Sequence, residues 1–205
     1  MSAREDLGLI GWGVASRPSS GGVSGDGYAV CPFPGGTLVA VIDGLGHGSS
    51  AASATELAIS VLHDRASGDL GALVRACHAR LAGSRGAAMS LASFAEDGRM
   101  TWLGVGSVDA VLLRSGLGRG RPGREALLLP GGVVGFQLPP LRPSAVDVYR
   151  GDTLVLATDG VAPGFSQSVR SGMHPQEAAE TVLETYGTFR DDALVLVARY
   201  LGREP

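Results

Sequence analysis

The sequence contains no lysine and no asparagine. Without lysine there is no Walker phosphate loop, no Schiff base and no kinase-type phosphate lysine. Without asparagine there is no N-glycosylation acceptor and no Asn-Gly hairpin turn. Cysteine is scarce: Cys31 and Cys77 do not make a disulfide framework. Neither belongs to a Cys-x-x-Cys pair, which argues against zinc, and neither opens the Cys-x5-Arg loop of a thiol phosphatase. Cys77 falls in an apolar helical stripe and reads as core. No run reaches the roughly 18 apolar residues that span a bilayer. Met1 to Asp6 carries acids and lacks the apolar core of a signal peptide. The expectation is a soluble, cytoplasmic protein with no membrane partner.

All 17 basic residues are arginine, set against 20 acids for a formal net charge of −3. A near-neutral chain without lysine argues against nucleic acid as a partner. Arg114, Arg119, Arg121 and Arg124 form a local basic cluster among Gly and Pro, readable as a solvated hairpin loop or as a protein-docking patch. With 205 residues, 44% of them apolar and 18% charged, the chain has the size and composition of one globular domain over 1–205. Nothing in the sequence fixes its oligomeric state, and a monomer is the simplest expectation.

Apolar runs at Leu7 to Ala15, Tyr28 to Phe33 and Thr37 to Ile42 read as strands, the last two parted by Pro and Gly. Helical spacing then appears over Ser49 to Ala66 and Leu70 to Leu81. Ser53 and Glu56 stand at capping-box distance, and Ser49 or Ser50 serve equally well as caps. Strands follow at Ala87 to Ala95, Arg99 to Gly106, Val108 to Arg114, Ala126 to Leu129, Ala145 to Tyr149 and Thr153 to Thr158. A third helix fits Pro175 to Tyr186, with Pro175 in its first turn, and Ala193 to Tyr200 closes as a strand. Consecutive strands with segregated helices predict an α+β fold of antiparallel sheets rather than a doubly wound sheet.

The chemistry lies in where aspartate falls. Asp43 ends Leu38-Val39-Ala40-Val41-Ile42 and enters Gly44-Leu45-Gly46-His47-Gly48. Asp159 ends Leu154-Val155-Leu156-Ala157-Thr158 and precedes Gly160. Asp191 and Asp192 precede Ala193 to Val197, and Asp26 lies in Ser24-Gly25-Asp26-Gly27 before Tyr28. A single Asp-Gly is an ordinary turn. Several acids at strand ends suit hard divalent cations, which prefer oxygen donors, and adjacent Gly lets backbone carbonyls approach.

These segments resemble the signatures of the metal-dependent PPM (type 2C) serine/threonine phosphatases. Asp43 to Gly48, Thr158-Asp159-Gly160 and Arg190-Asp191-Asp192-Ala193 match in order and spacing. Ser24-Gly25-Asp26 is similar to the first acidic motif, and Gly104 to Val111 to the central strand pair. The small size, the wording Asp-Gly-Leu-Gly-x-Gly and Arg85-Gly86-Ala87 narrow the resemblance to the minimal, RsbX-like stressosome branch, with the SpoIIE and RsbU branch beside it.

The resemblance implies two packed antiparallel β-sheets flanked by helices, without a large flap subdomain. It implies two divalent cations, Mn2+ or Mg2+. Asp43 would bridge both, the Gly44 carbonyl would join the second, and Asp26, Asp159 and Asp191 would complete the set. Asp192 ranks below Asp191. Two-metal hydrolysis uses an activated water in place of a protein nucleophile. The implied substrates are phosphorylated STAS-domain stressosome proteins, or alternatively an anti-sigma-factor antagonist. A non-catalytic binding module on the same fold is the third reading, disfavoured because every expected acid is present. The match departs at two points. Arg17 is the nearest candidate for the family's phosphate-binding arginine, nine positions before Asp26. Leu45 stands where larger members have histidine, leaving His47 as the candidate general acid.

Overall fold

A computed structural model describes residues 8–19, 22–116 and 123–202. Among these residues, strands and helices follow in the order β1 (Ile10–Arg17), β2 (Asp26–Phe33), β3 (Gly36–Gly44), α1 (Ser49–Arg65), α2 (Leu70–Arg80), β4 (Ala87–Ala95), β5 (Arg99–Val105), β6 (Asp109–Leu113), β7 (Arg124–Ala126), β8 (Ser144–Asp147), β9 (Thr153–Ala157), α3 (Pro175–Tyr186) and β10 (Ala193–Tyr200). The strands form two antiparallel five-stranded sheets, ordered β1-β10-β9-β6-β7 and β2-β3-β4-β5-β8. The α+β architecture expected from the sequence is thus observed.

Alternation along each strand separates three apolar layers. Val39 and Val41 of β3, with Leu194, Leu196 and Ala198 of β10, fill the space between the sheets. Leu38, Ala40 and Ile42 face the other way, against Ala54, Ala58 and Leu62 of α1 and Leu73, Val74 and Cys77 of α2. Val195 and Val197 of β10 pack on Ala178, Ala179 and Val182 of α3. Helices therefore cover both outer faces. Both cysteines are free and buried, and burial pushes their thiols up to about 11 for Cys31 and about 12 for Cys77.

Local chemistry explains the helix ends. Gly48 caps α1 with no side-chain cap bond, so Ser53 and Glu56 lie inside the helix rather than at its start. The Asp69 side chain accepts from the Ala72 N–H at the start of α2. His174 caps α3 ahead of Pro175, accepting from the Gln176 N–H. Gly13 is required where β1 passes under α3: a Cβ there would lie 2.4 Å from the Gln176 backbone.

The arginine cluster is corrected. Arg114 is not solvated: its buried guanidinium pairs with Glu125 and, at 2.8 Å, with Asp152. It also donates to the Asp147 carbonyl. Arg124 opens β7 and is exposed, while Arg119 and Arg121 lie outside the described residues. No helix among the described residues is long and apolar enough to cross a membrane.

Candidate active site

Strand register assembles the acids at one end of the sandwich. The turn at Pro34 and Gly35 sets Phe33 opposite Gly36, and the same register places Asp26 directly across from Asp43. Tyr28, Val30, Val39 and Val41 belong to the layer between the sheets, so the period-two alternation turns Asp26 and Asp43 toward that layer's open end. In the second sheet Val195 pairs with Ala157, which brings Thr158 and Asp159 beside Asp191 and Asp192.

Bonds across the two sheets lock this end. The Thr158 hydroxyl donates to Asp26 Oδ2 at 2.8 Å and accepts from the Leu194 N–H at 2.9 Å. Asp192 Oδ2 accepts from the Gly25 N–H at 2.7 Å, and its Oδ1 from the Ser19 N–H at 2.7 Å and the Ser19 hydroxyl at 3.1 Å. Burial opposes the Asp192 charge, but these donors, with the Ser24 hydroxyl, outweigh it and hold its pKa below the ordinary value. Asp192 therefore ties the segment before β2 to the start of β10.

The other acids have few donors and one another for neighbours. Burial, followed by the charges of Asp43, Asp192 and Asp159, pushes Asp26 up to about 8 despite the Thr158 bond. Burial and the charges of Asp159, Asp191 and Asp192 push Asp43 up to about 7. Asp159 is raised too, by burial and then by Asp191. The Ser107 hydroxyl donates to Asp43 Oδ2 at 3.4 Å and also eases Asp159. Among the described residues every salt bridge belongs to Arg114, none to this cluster.

Five carboxylates thus share one electrostatic neighbourhood, with no salt-bridging base among the described residues. Among the described residues no three side chains of His, Cys, Asp or Glu stand in ready-made geometry around one ion. Uncompensated carboxylates repel and stand apart, so mutual proximity is the more informative observation. The donors are hard oxygens, and the backbone leaves no room beside them. A Cβ on Gly44 would meet the Ala51 carbonyl at 2.3 Å, and one on Gly25 would meet the Gly44 carbonyl at 3.2 Å. This donor set fits a small divalent cation of the Mg2+ or Mn2+ type.

Gly160 is the tightest point: a Cβ there would lie 2.0 Å from the Asp192 carbonyl oxygen. Gly160→Ala is expected to cost about 1–3 kcal/mol, the usual penalty of forced overpacking. The corresponding fall in melting temperature is roughly 3–10 °C, accompanied by weaker Mn2+ binding because Asp159 and Asp192 are pushed apart. Thermal unfolding with and without Mn2+ checks both effects.

The remaining candidates lie at the rim. Arg17 pairs with Ala193 in the β1–β10 ladder; its guanidinium donates to the Thr188 carbonyl at 3.1 Å and lies over the Phe189 ring. His47 is exposed in the loop between β3 and α1. Three contributors lie within the quoted motifs but are given no role of their own by sequence: Thr158, Ser107 and Arg85. Arg85 follows from register, since Gly44 pairs with Ala87 and the Leu45 N–H donates to the Gly86 carbonyl. The exposed Arg85 guanidinium then lies 2.4 Å from where a Gly46 Cβ would be. Gly46 has φ +94°, so glycine is favoured there on both counts.

Two face-to-face antiparallel sheets with outer helices and an acidic pole define a PP2C-type phosphatase fold. The family described as Stage II sporulation protein E (SpoIIE) matches residues 34–201. The chain belongs to that SpoIIE family. A comparison with curated protein sequences gives no match. RsbX in complex with magnesium superposes with a TM-score of 0.85 at 21% identity, covering 98% of this chain and 100% of that one. A structure from work on the bacterial stressosome, as a modular system adapted to control secondary messenger signalling, gives a TM-score of 0.83 at 28% identity, covering 93% and 99%. The PP2C phosphatase domain of SpoIIE from Bacillus subtilis, with a fragment of its regulatory domain, gives 0.74 at 20% identity, covering 96% of this chain and 64% of that one.

Proposed function

We propose that this protein is a metal-dependent serine/threonine protein phosphatase acting on phosphorylated STAS-domain stressosome proteins. The observation that carries the reading is the half-buried pair Asp26 and Asp43, set opposite each other by strand register and surrounded by further carboxylates, at the pole of a PP2C-type fold. Similar structures support divalent metal: one is a magnesium complex of RsbX, and another is the catalytic domain of the serine/threonine protein phosphatase PstP in complex with two manganese ions.

In this reading Asp43 and the Gly44 carbonyl would be among the groups that hold the cations. Asp26, Asp159 and Asp191 complete the set. Bound cations supply a water acidic enough to attack phosphorus and positive charge against the phosphoryl oxygens. The chain's own residues hold that arrangement. Thr158 fixes Asp26, Ser107 fixes Asp43, and Asp192 fixes the two backbone segments between which the acids stand. His47 is the proton donor to the leaving serine oxygen. Because the Arg17 guanidinium is engaged by Thr188 and Phe189, we assign contact with the substrate's phosphorylated segment to Arg85.

The test is release of phosphate from phosphorylated STAS-domain protein with Mn2+, against EDTA. Full activity in EDTA would sink the reading. Arg85→Gln is expected to raise KM for the phosphoprotein by about tenfold, the worth of one charge-assisted hydrogen bond, with kcat changed less. Steady-state kinetics on the phosphoprotein and on a small aryl phosphate separates the two effects, because the small substrate offers no flanking segment.

The SpoIIE-family match over residues 34–201 favours a second reading, in which the substrate is a phosphorylated anti-sigma-factor antagonist. Side-by-side turnover of the two phosphoproteins distinguishes them.

A further inference from the structure

At the end of the β9–β10 pair away from the carboxylates lies a cleft of about 200 Å3, lined by Arg114, Thr153, Arg170, Ser171 and Arg199 among others. Thr153 pairs with Arg199, and Ala157 with Val195. Thr153 is six residues, or roughly 20 Å, along the chain from Asp159 at the acidic pole. The cleft shares no residue with that pole.

The charges lining this cleft are unequal in their partners. Arg114 is neutralised by Glu125 and Asp152 on the floor. Among the described residues Arg199 has no such partner. Its Nε–H donates to the Thr153 hydroxyl at 3.1 Å, while burial alone acts on its charge and pulls its pKa below the ordinary value. Asp152 is spent on Arg114, Ser115 and the Tyr149 N–H. Arg170 stands exposed at the cleft wall, where its backbone N–H meets the Met173 sulfur. A half-buried cation without an acid is costly unless an anion joins it. A guanidinium fork matches the paired oxygens of a phosphate group.

We propose that this cleft is a second, non-catalytic anion site that takes a phosphate group between Arg199 and Arg170. The group comes either as free inorganic phosphate or as the phosphoryl of a phosphoserine segment, and the same chemistry recognises both. The site acts independently of the metal-binding acids.

Calorimetric titration of inorganic phosphate into the full chain in EDTA at low salt tests it, since the acidic pole without cations repels phosphate. One saturable site is expected in the unaltered protein and in Asp43→Asn. Its affinity falls by about tenfold or more in Arg199→Gln and in Arg170→Gln, the loss that follows removal of charge-assisted hydrogen bonds. Arg170 is exposed, so its variant keeps the fold and the test stands if Arg199→Gln unfolds. A phosphoserine peptide binding more tightly than phosphate assigns the site to a protein-borne group; equal affinity assigns it to the free ion. No saturable binding, unchanged affinity in Arg170→Gln, or loss of binding in Asp43→Asn overturns the proposal.

Discussion

Asp43→Asn is expected to lower Mn2+-dependent phosphate release by about a thousandfold or more, since it strips charge from the centre that must hold the metals and the developing phosphoryl charge. The substitution is nearly isosteric. The Ser107 hydroxyl that donates to Asp43 Oδ2 still meets an oxygen or can turn to accept from the amide. Folding should therefore survive. It should even improve without metal, because the charges of Asp159, Asp191 and Asp192 all act against ionised Asp43. Three measurements belong together: turnover, calorimetric Mn2+ affinity and the metal-free melting temperature. Loss of turnover and Mn2+ binding with an equal or higher melting temperature is the expected combination. Undiminished turnover would falsify the assignment of Asp43 to the metals, whereas a lowered melting temperature would make the lost activity a folding effect.

Much of this geometry is written locally. The two-residue turn at Pro34 and Gly35 fixes the β2–β3 register, and that register alone places Asp26 opposite Asp43. The unbroken apolar run Leu38 to Ile42 marks a strand covered on both faces, and Pro175 marks the start of α3. The acid-after-strand pattern at Asp43 and Asp159 survives intact because a strand end needs no tertiary partner to be recognised.

What the sequence hides is the bonding between distant segments. Asp192 reads as a spare metal ligand beside Asp191, yet its carboxylate is consumed by Ser19 and Gly25, more than 160 positions earlier. Thr158 looks like strand filler until β9 and β10 bring its hydroxyl between Asp26 and the Leu194 N–H. Arg114 sits in a Gly- and Arg-rich stretch that reads as solvent-facing. It is buried because Asp152, just ahead of β9, supplies the charge that permits it. In each case the deciding partner is distant in sequence and arrives only when the strands have paired.

Stability without metal should fall as pH rises, the reverse of an ordinary acid-labile protein. Asp26 and Asp43 release protons near 3.8 when unfolded but at about 8 and about 7 when folded. Between those limits the native state binds more protons than the unfolded chain, and stability falls with each increment of pH. Their favourable contribution is complete below about pH 4 and lost as pH passes through 7 and 8. Asp192 works in the opposite sense, since its lowered pKa gives stability above the unfolded value that is lost on acidification below it. The metal-free protein should therefore be most stable in mild acid. In the proposed reading Mn2+ takes over the role of the protons at higher pH, so the rise in melting temperature on adding Mn2+ should be larger at pH 8 than at pH 5. Asp26→Asn removes one buried charge and should raise the metal-free melting temperature at pH 8 by about 5 °C. At pH 4.5 it should change little, because Asp26 is already protonated there. Scanning calorimetry of the unaltered protein and of Asp26→Asn from pH 4.5 to pH 8, in EDTA and again with excess Mn2+, reads each of these differences. A metal-free melting temperature that climbs from pH 5 to pH 8 would show that Asp26 and Asp43 do not repel their neighbours, and would remove the electrostatic basis for placing two cations among them.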